Sequence, residues 1–170
     1  MIIGIAGTPG VGKTTATTLM KTKVIDLNKF AIEKGFVAGY DKKRESFEVD
    51  TEKLRKELLT YEDCVVEGHL APFVSDVCIV LRCNPEIIRQ RLSQKYPPTK
   101  VEENVLAEIL DAQLIEAYER CEKVYEIDVS DMEPERVASL LDRIVKLIRE
   151  GKEIKNFSPG RINWTHYLQE

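Results

Sequence analysis

The chain opens with Met1-Ile2-Ile3-Gly4-Ile5-Ala6, which runs directly into Gly7-Thr8-Pro9-Gly10-Val11-Gly12-Lys13-Thr14-Thr15. The first stretch is short, apolar and rich in isoleucine, the pattern of a buried strand. The second fits G-x-x-x-x-G-K-[ST], the phosphate-binding loop. A helical stretch over 14–21 follows. Strand, glycine loop and helix therefore stand in the order this motif requires. Gly7, Gly10 and Gly12 allow backbone angles and close approaches that a Cβ would block. The loop N–H groups can then converge on an anion at a helix start. Lys13 is a mobile cation suited to β- and γ-phosphates, and Thr14 places a hydroxyl where Mg²⁺ would sit.

Outward from this loop, strand-like and helix-like segments alternate. Residues 24–26 read as a strand, with Asp26 or Asn28 capping a helix to about Glu33. Residues 35–49 are glycine-punctuated and charged and read as a long loop, a length often tied to function. Residues 50–59 read as a helix with an acidic first turn. Strands follow at 64–67 and at 77–81; the latter lacks alternation, as expected when both faces are covered. Asn84-Pro85 opens a helix to about Gln94. Tyr96-Pro97-Pro98-Thr99 breaks the chain, and 101–121 reads as one long amphipathic helix. A strand over 123–127 and a helix over 134–149 complete an α/β domain of residues 1–150. Its predicted architecture is three-layered, with a mostly parallel five-stranded sheet. The remaining segment, 151–170, reads as a tail: either packed over the domain or a partner-binding arm anchored by Trp164.

Net charge is −4 with both signs mixed, which argues against a broad nucleic-acid-binding surface. The four cysteines, Cys64, Cys78, Cys83 and Cys121, form no C-x-x-C pair, a usage suited to a reducing cytosol. No leader pattern precedes the loop and no apolar run approaches membrane-spanning length, so a cytoplasmic location is expected.

A second constellation is Glu67-Gly68-His69. It puts a carboxylate at the carboxyl end of a predicted strand, the edge where ligands bind in such sheets. Glu67 could hold a metal-bound water or accept a proton from water, with His69 in the same crevice; a polar strand end with a surface histidine is the plainer alternative. Asp26 ends another strand. Arg82 ends a third, and Arg89, Arg91 and Lys95 sit on or just after the next helix. Phosphoryl transfer needs cations beyond Lys13, and Arg91 and Lys95 share a helix face. A guanine-specific N-K-x-D is absent, so the expected donor is ATP or nucleoside triphosphates generally.

These residues together resemble the adenylate kinase isoenzyme 6 family, also called the coilin-interacting nuclear ATPase family, in its archaeal branch. The carrying motifs are Gly7 to Thr15, Gly39-Tyr40-Asp41, Glu67-Gly68-His69 and Val80-Leu81-Arg82, with the stretch from Tyr96 to Glu108. The resemblance implies a nucleoside monophosphate kinase-like P-loop fold. It implies that Gly10, Gly12, Lys13, Thr14 and Thr15 bind ATP; on the residue chemistry above, Lys95 is expected to join them, with Thr14 and Glu67 toward Mg²⁺ and Lys13, Glu67 and His69 catalytic. It implies an acceptor segment at about 26–49, which holds Asp26, Gly39, Tyr40 and Asp41, and a lid at about 94–104; Arg82 and Arg91 are expected to join the acceptor site as the further cations. The activities implied are transfer to a nucleoside monophosphate, AMP foremost, and a side ATPase. A role in small-subunit rRNA processing, through transient contact with a ribosomal platform protein, is also implied. Three positions depart from the family pattern. Glu67 replaces a frequent aspartate. Lys95-Tyr96-Pro97 stands where Arg-Gly-Tyr is common, and Ile32 stands where an arginine is common. The last two weaken the expected grip on the acceptor phosphate. A switch ATPase acting mainly in assembly, or a kinase for another small metabolite, are the competing readings.

Overall fold

The computed structural model describes residues 1–43 and 46–169. Strand β1 (Ile2–Gly7) is buried along its whole length. Helix α1 (Lys13–Leu19) follows, then β2 (Val24–Asp26) and α2 (Leu27–Glu33), whose first turn is capped by Asp26 accepting from the Lys29 N–H at 3.1 Å. After a hairpin come α3 (Thr51–Leu58), β5 (Cys64–Glu67), the short α4 (Ala71–Val74) and β6 (Val77–Arg82), the hairpin strands being β3 (Val37–Asp41) and β4 (Ser46–Val49). The last elements are α5 (Pro85–Ser93), α6 (Pro98–Ile109), α7 (Ala112–Arg120), β7 (Lys123–Asp128) and α8 (Pro134–Arg149), with a 3₁₀ turn at Thr165–Gln169.

The main sheet has five parallel strands in the order β2-β5-β1-β6-β7. Successive residues of each strand face opposite layers. Ile3, Ile5, Ile79, Leu81 and Tyr125 pack under α1, α5, α6 and α8; Ile2, Ala6, Val66, Cys78 and Val124 pack under α2, α3, α4 and α7. This two-sided burial explains why the sheet strands carry near-continuous apolar runs. It confirms the predicted three-layer α/β class. The chain leaves β1 toward β2 on one side and later returns to β6 on the other, so the β1 end is a topological switch point. The register sets Ile5 beside Glu67, Asp26 beside Glu67, and Gly7 beside Leu81. The carboxyl ends of β1, β2 and β5 therefore lie together.

Two sequence expectations require correction. The stretch 35–49 is not a plain loop. Val37–Asp41 and Ser46–Val49 pair antiparallel, and the Tyr40 and Phe47 rings meet edge-on at 5.3 Å between centroids. That aromatic cross-strand pair helps hold a ribbon separate from the main sheet. Arg44 and Glu45, inside the predicted loop, lie outside the described residues. The second correction concerns 101–121, which forms two helices. Asp111 adopts left-handed backbone angles (φ 58°) between α6 and α7. The cause is Arg82, whose Nη2 donates to the Glu108 carbonyl at 2.9 Å and to Asp111 Oδ1 at 2.5 Å. A guanidinium from β6 occupies the end of α6 and turns the chain there.

The tail packs over the domain. Glu126 N–H of β7 donates to the Phe157 carbonyl at 2.9 Å, and Glu126 Oε2 accepts from the Gly160 and Arg161 N–H groups at 2.7 and 3.2 Å. Ile154, Phe157, Trp164 and Tyr167 rest against the core. Trp164 is thus spent on packing, and Glu170 lies outside the described residues. Among the described residues no helix is long and apolar enough to cross a membrane.

Candidate active site

The phosphate loop bridges β1 and α1 at the switch point. Gly12 caps α1 in the left-handed region (φ 97°), a conformation glycine adopts at low cost. Gly7 is required for a different reason: a Cβ there would lie 2.7 Å from the Leu81 carbonyl oxygen of the neighbouring strand. Val11 N–H donates to the Thr8 carbonyl at 3.2 Å, closing the turn. Lys13 Nζ donates to the carbonyl of Gly7 and, at 3.3 Å, to that of Thr8. Burial strips water from this ammonium and lowers its pKa to about 8, although Glu67 and Glu108 pull it partly back.

Glu67 closes β5 beside the loop and is only 5% exposed. Its Oε1 accepts from Thr14 Oγ1 at 3.4 Å. Desolvation raises its pKa, the Asp26 charge adds to that, and Lys13 opposes it. His69 lies exposed on the cleft wall, two residues on. Its pKa is lowered by desolvation and by the Lys13 charge, so the ring stays neutral below the ordinary histidine range. Lys13 and Glu67 both line the cleft, the cation pushed down and the carboxylate pushed up, a pairing that marks the cleft as a candidate site. Thr14 and Glu67 give one hydroxyl and one carboxylate, which fits an ion such as Mg²⁺ that keeps most of its waters and arrives with phosphates.

A cleft of about 1030 Å³ opens over this loop. Of the residues predicted from sequence, Gly10, Gly12, Lys13, Thr14, Thr15, Asp26, Glu67, His69, Arg91 and Lys95 all line it. Arg91 reaches it from α5 and donates from Nη1 to the Gly10 carbonyl at 2.9 Å, so it braces the phosphate loop itself. Gln94, Lys95 and Tyr96, between α5 and α6, form part of the cleft wall.

Arg82 is not in the cleft. It is 1% exposed and bonded to Glu108, Glu126 and Asp111, so its charge serves the fold rather than a substrate. Gly39, Tyr40 and Asp41 lie on the hairpin and do not line the cleft either. Sequence reasoning missed one wall, made by Ser130 and Met132 of the β7–α8 connection and by Pro134 and Val137 at the start of α8. Nothing in its composition marks it. The available signal was positional: a loop at the carboxyl end of a parallel strand borders the crevice.

A parallel sheet with a glycine nest, lysine and threonine at its switch point defines a P-loop nucleotide-binding protein of the small-kinase type. A family model described as an AAA domain matches residues 3–111. Relatives named "Putative adenylate kinase" include one from Natronomonas pharaonis, 40% identical, covering 99% of this chain and all of that protein. Another, from Methanocaldococcus jannaschii, is 39% identical over 97% of this chain and 93% of its own. A third, from Methanosarcina acetivorans, is 35% identical over 96% and 97%. The shikimate kinase of Bacteroides thetaiotaomicron shares the fold, with a TM-score of 0.56 at 16% identity over 86% of this chain and 99% of that one. The shikimate kinase of Aquifex aeolicus does likewise, at 0.55 and 14% over 89% and 99%. The chain belongs to the nucleoside monophosphate kinase-like P-loop family that these archaeal proteins form.

Proposed function

We propose that the protein transfers the γ-phosphoryl of Mg-ATP to a nucleoside monophosphate, AMP foremost, and hydrolyses ATP more slowly when no acceptor is present. The observation that carries this reading is the placement of Lys13, Thr14, Asp26 and Glu67 around one cleft above the glycine nest. The nest amides and the start of α1 bind the phosphates. Lys13 is already desolvated and needs only to swing from the Gly7 and Thr8 carbonyls to the transferring group. Thr14 and Glu67 orient the ion that accompanies ATP. The Met132, Pro134 and Val137 side chains offer the apolar end of the cleft to a flat base. Asp26 and Asn28 face it from the opposite wall, where an acceptor would lie, and Lys95 with Tyr96 covers the phosphates as a lid. Transfer to a monophosphate needs chiefly alignment, because the acceptor oxygen is already anionic. Hydrolysis must also activate water, which Glu67 and the neutral His69 imidazole can do.

The hairpin residues Gly39, Tyr40 and Asp41 belong to the acceptor segment in this reading, brought to the cleft only when that segment closes. The relatives' names support the kinase assignment, and the resemblance to the isoenzyme 6 family extends it to maturation of the small ribosomal subunit with a platform protein. The test is ATP consumption measured with and without AMP and with and without that partner. AMP-dependent ADP formation supports the kinase. Slow hydrolysis altered only by the partner supports the assembly switch instead.

A further inference from the structure

Glu108 ends the stretch from Tyr96 that carries part of the resemblance but has been given no role; it is 1% exposed and joins three elements around the phosphate loop. Its Oε2 accepts from Thr8 Oγ1 at 2.6 Å, a buried bond inside the glycine loop. Its Oε1 accepts from Arg82 Nε at 2.9 Å and from the Cys83 N–H at 3.1 Å, where β6 hands over to α5. Its backbone carbonyl accepts from Arg82 Nη2. Arg82 is itself fixed by Glu126 Oε1 at 2.6 Å. Glu108 stands in the last turn of α6, the helix that begins at Pro98 directly after the cleft-lining Lys95 and Tyr96.

The geometry points to Glu108 as a positioning residue that sets the phosphate loop through Thr8 and ties its placement to α6. Thr8 carries the burden because of its backbone. Its carbonyl holds both the Lys13 ammonium and the Val11 N–H, so a shift of Thr8 moves the cation and the turn together. A buried carboxylate needed only as a counter-ion for Arg82 would have no reason to bond the loop. Arg82 already has Glu126 and Asp111. With the link in place, α6 acts as a rigid lever. The cleft wall of Lys95 and Tyr96 lies at one end and the bond between Glu108 and Thr8 at the other. Displacing the wall, by closure or by a partner, then reaches the loop amides without passing through substrate.

The test is Thr8→Val, nearly isosteric and lacking only the hydroxyl, beside Thr8→Ser, which restores it. Thr8→Val should lower kcat about tenfold or more, since small misplacements of catalytic groups cost that much. It should also weaken Mg-ATP binding, measured by calorimetry with acceptor absent, about threefold or more. Thr8→Ser should recover most of both losses. Parent kcat and parent affinity in a folded Thr8→Val would overturn the inference and leave Glu108 a buried counter-ion. If Thr8→Val does not fold, Thr8→Ala makes the same comparison without placing a methyl against the carboxylate. The turnover readout rests on the proposed function, whereas the binding readout does not. Absence of AMP-dependent transfer in the parent would fail that reading while the affinity comparison still decides this one.

Discussion

Binding of Mg-ATP should draw a proton from solution through Lys13, and the structure sets the pH at which it does so. The ammonium is held among backbone carbonyls and desolvated, with a pKa of about 8. A bound polyphosphate favours the charged form and returns the pKa well above that value. The sign follows from linkage. The free protein is partly deprotonated near pH 8 and the complex is not, so binding takes protons up and affinity falls as pH rises through 8. From a free pKa of about 8, uptake should be roughly 0.1 proton at pH 7, about 0.5 at pH 8 and about 0.9 at pH 9. The same arithmetic predicts that affinity at pH 9 is about tenfold below that at pH 7, or about 1.4 kcal/mol. The assay is calorimetry with saturating magnesium in two buffers of different ionisation enthalpy, because the apparent enthalpy then reports the protons exchanged. Lys13→Met, which keeps the apolar stem without the ammonium, should abolish the uptake. A flat affinity from pH 7 to 9 with no uptake at pH 8 would contradict a desolvated Lys13 ammonium. It would mean that the ammonium is as well solvated as a surface lysine and that burial does not tune it.

Other substitutions separate the roles of neighbouring groups. Thr14→Val should lower phosphoryl transfer about 10²-fold in a coupled assay with little change in Tm, since in the proposed reaction the hydroxyl faces the ion and the side chain is exposed rather than in the core. His69→Ala should depress acceptor-free ATP hydrolysis by a larger factor than AMP-dependent ADP formation, both rates being measured on one preparation. Because the imidazole pKa is lowered, the acid limb of the hydrolysis profile should lie below the ordinary histidine range. Ile32→Arg with Lys95→Arg should lower the apparent KM for AMP. Ile32 is exposed and can accept the longer chain, and a guanidinium grips phosphate in a bidentate way that an ammonium cannot. Arg82→Met should destabilise the fold by about 3–5 kcal/mol in chemical denaturation, because it strands Glu108 and Glu126 as buried charges.

The parts of this molecule that could be read in advance are those whose cause is contiguous in the chain. Gly7 to Thr15 carries strand end, turn, cation and hydroxyl within one short stretch, so its structure and chemistry are written together. The helix over residues 134–149 was legible for a similar reason, since its apolar residues recur at helical spacing and Pro134 suits its first turn. The break between α6 and α7 was not. Its cause is a guanidinium from β6, far away in sequence, and the apolar spacing runs on through Leu110 regardless. The hairpin was hidden by glycine and charge in a segment that pairs only with itself. Arg82 was misread because a strand-end cation has the same signature whether it meets a phosphate or buried carboxylates. Only the fold places Glu108 and Glu126 on either side of it. The cleft wall around Met132 had no motif to read.

In the proposed reaction the cleft joins Mg-ATP to a nucleoside monophosphate. The most direct measurement follows ADP and ATP by chromatography in one reaction, with AMP supplied or withheld. AMP should accelerate ATP loss, and two ADP should appear for each ATP consumed, reflecting one phosphoryl moved between nucleotides. ATP loss that ignores AMP and every other nucleoside monophosphate, yielding one ADP and one inorganic phosphate each time, would contradict it.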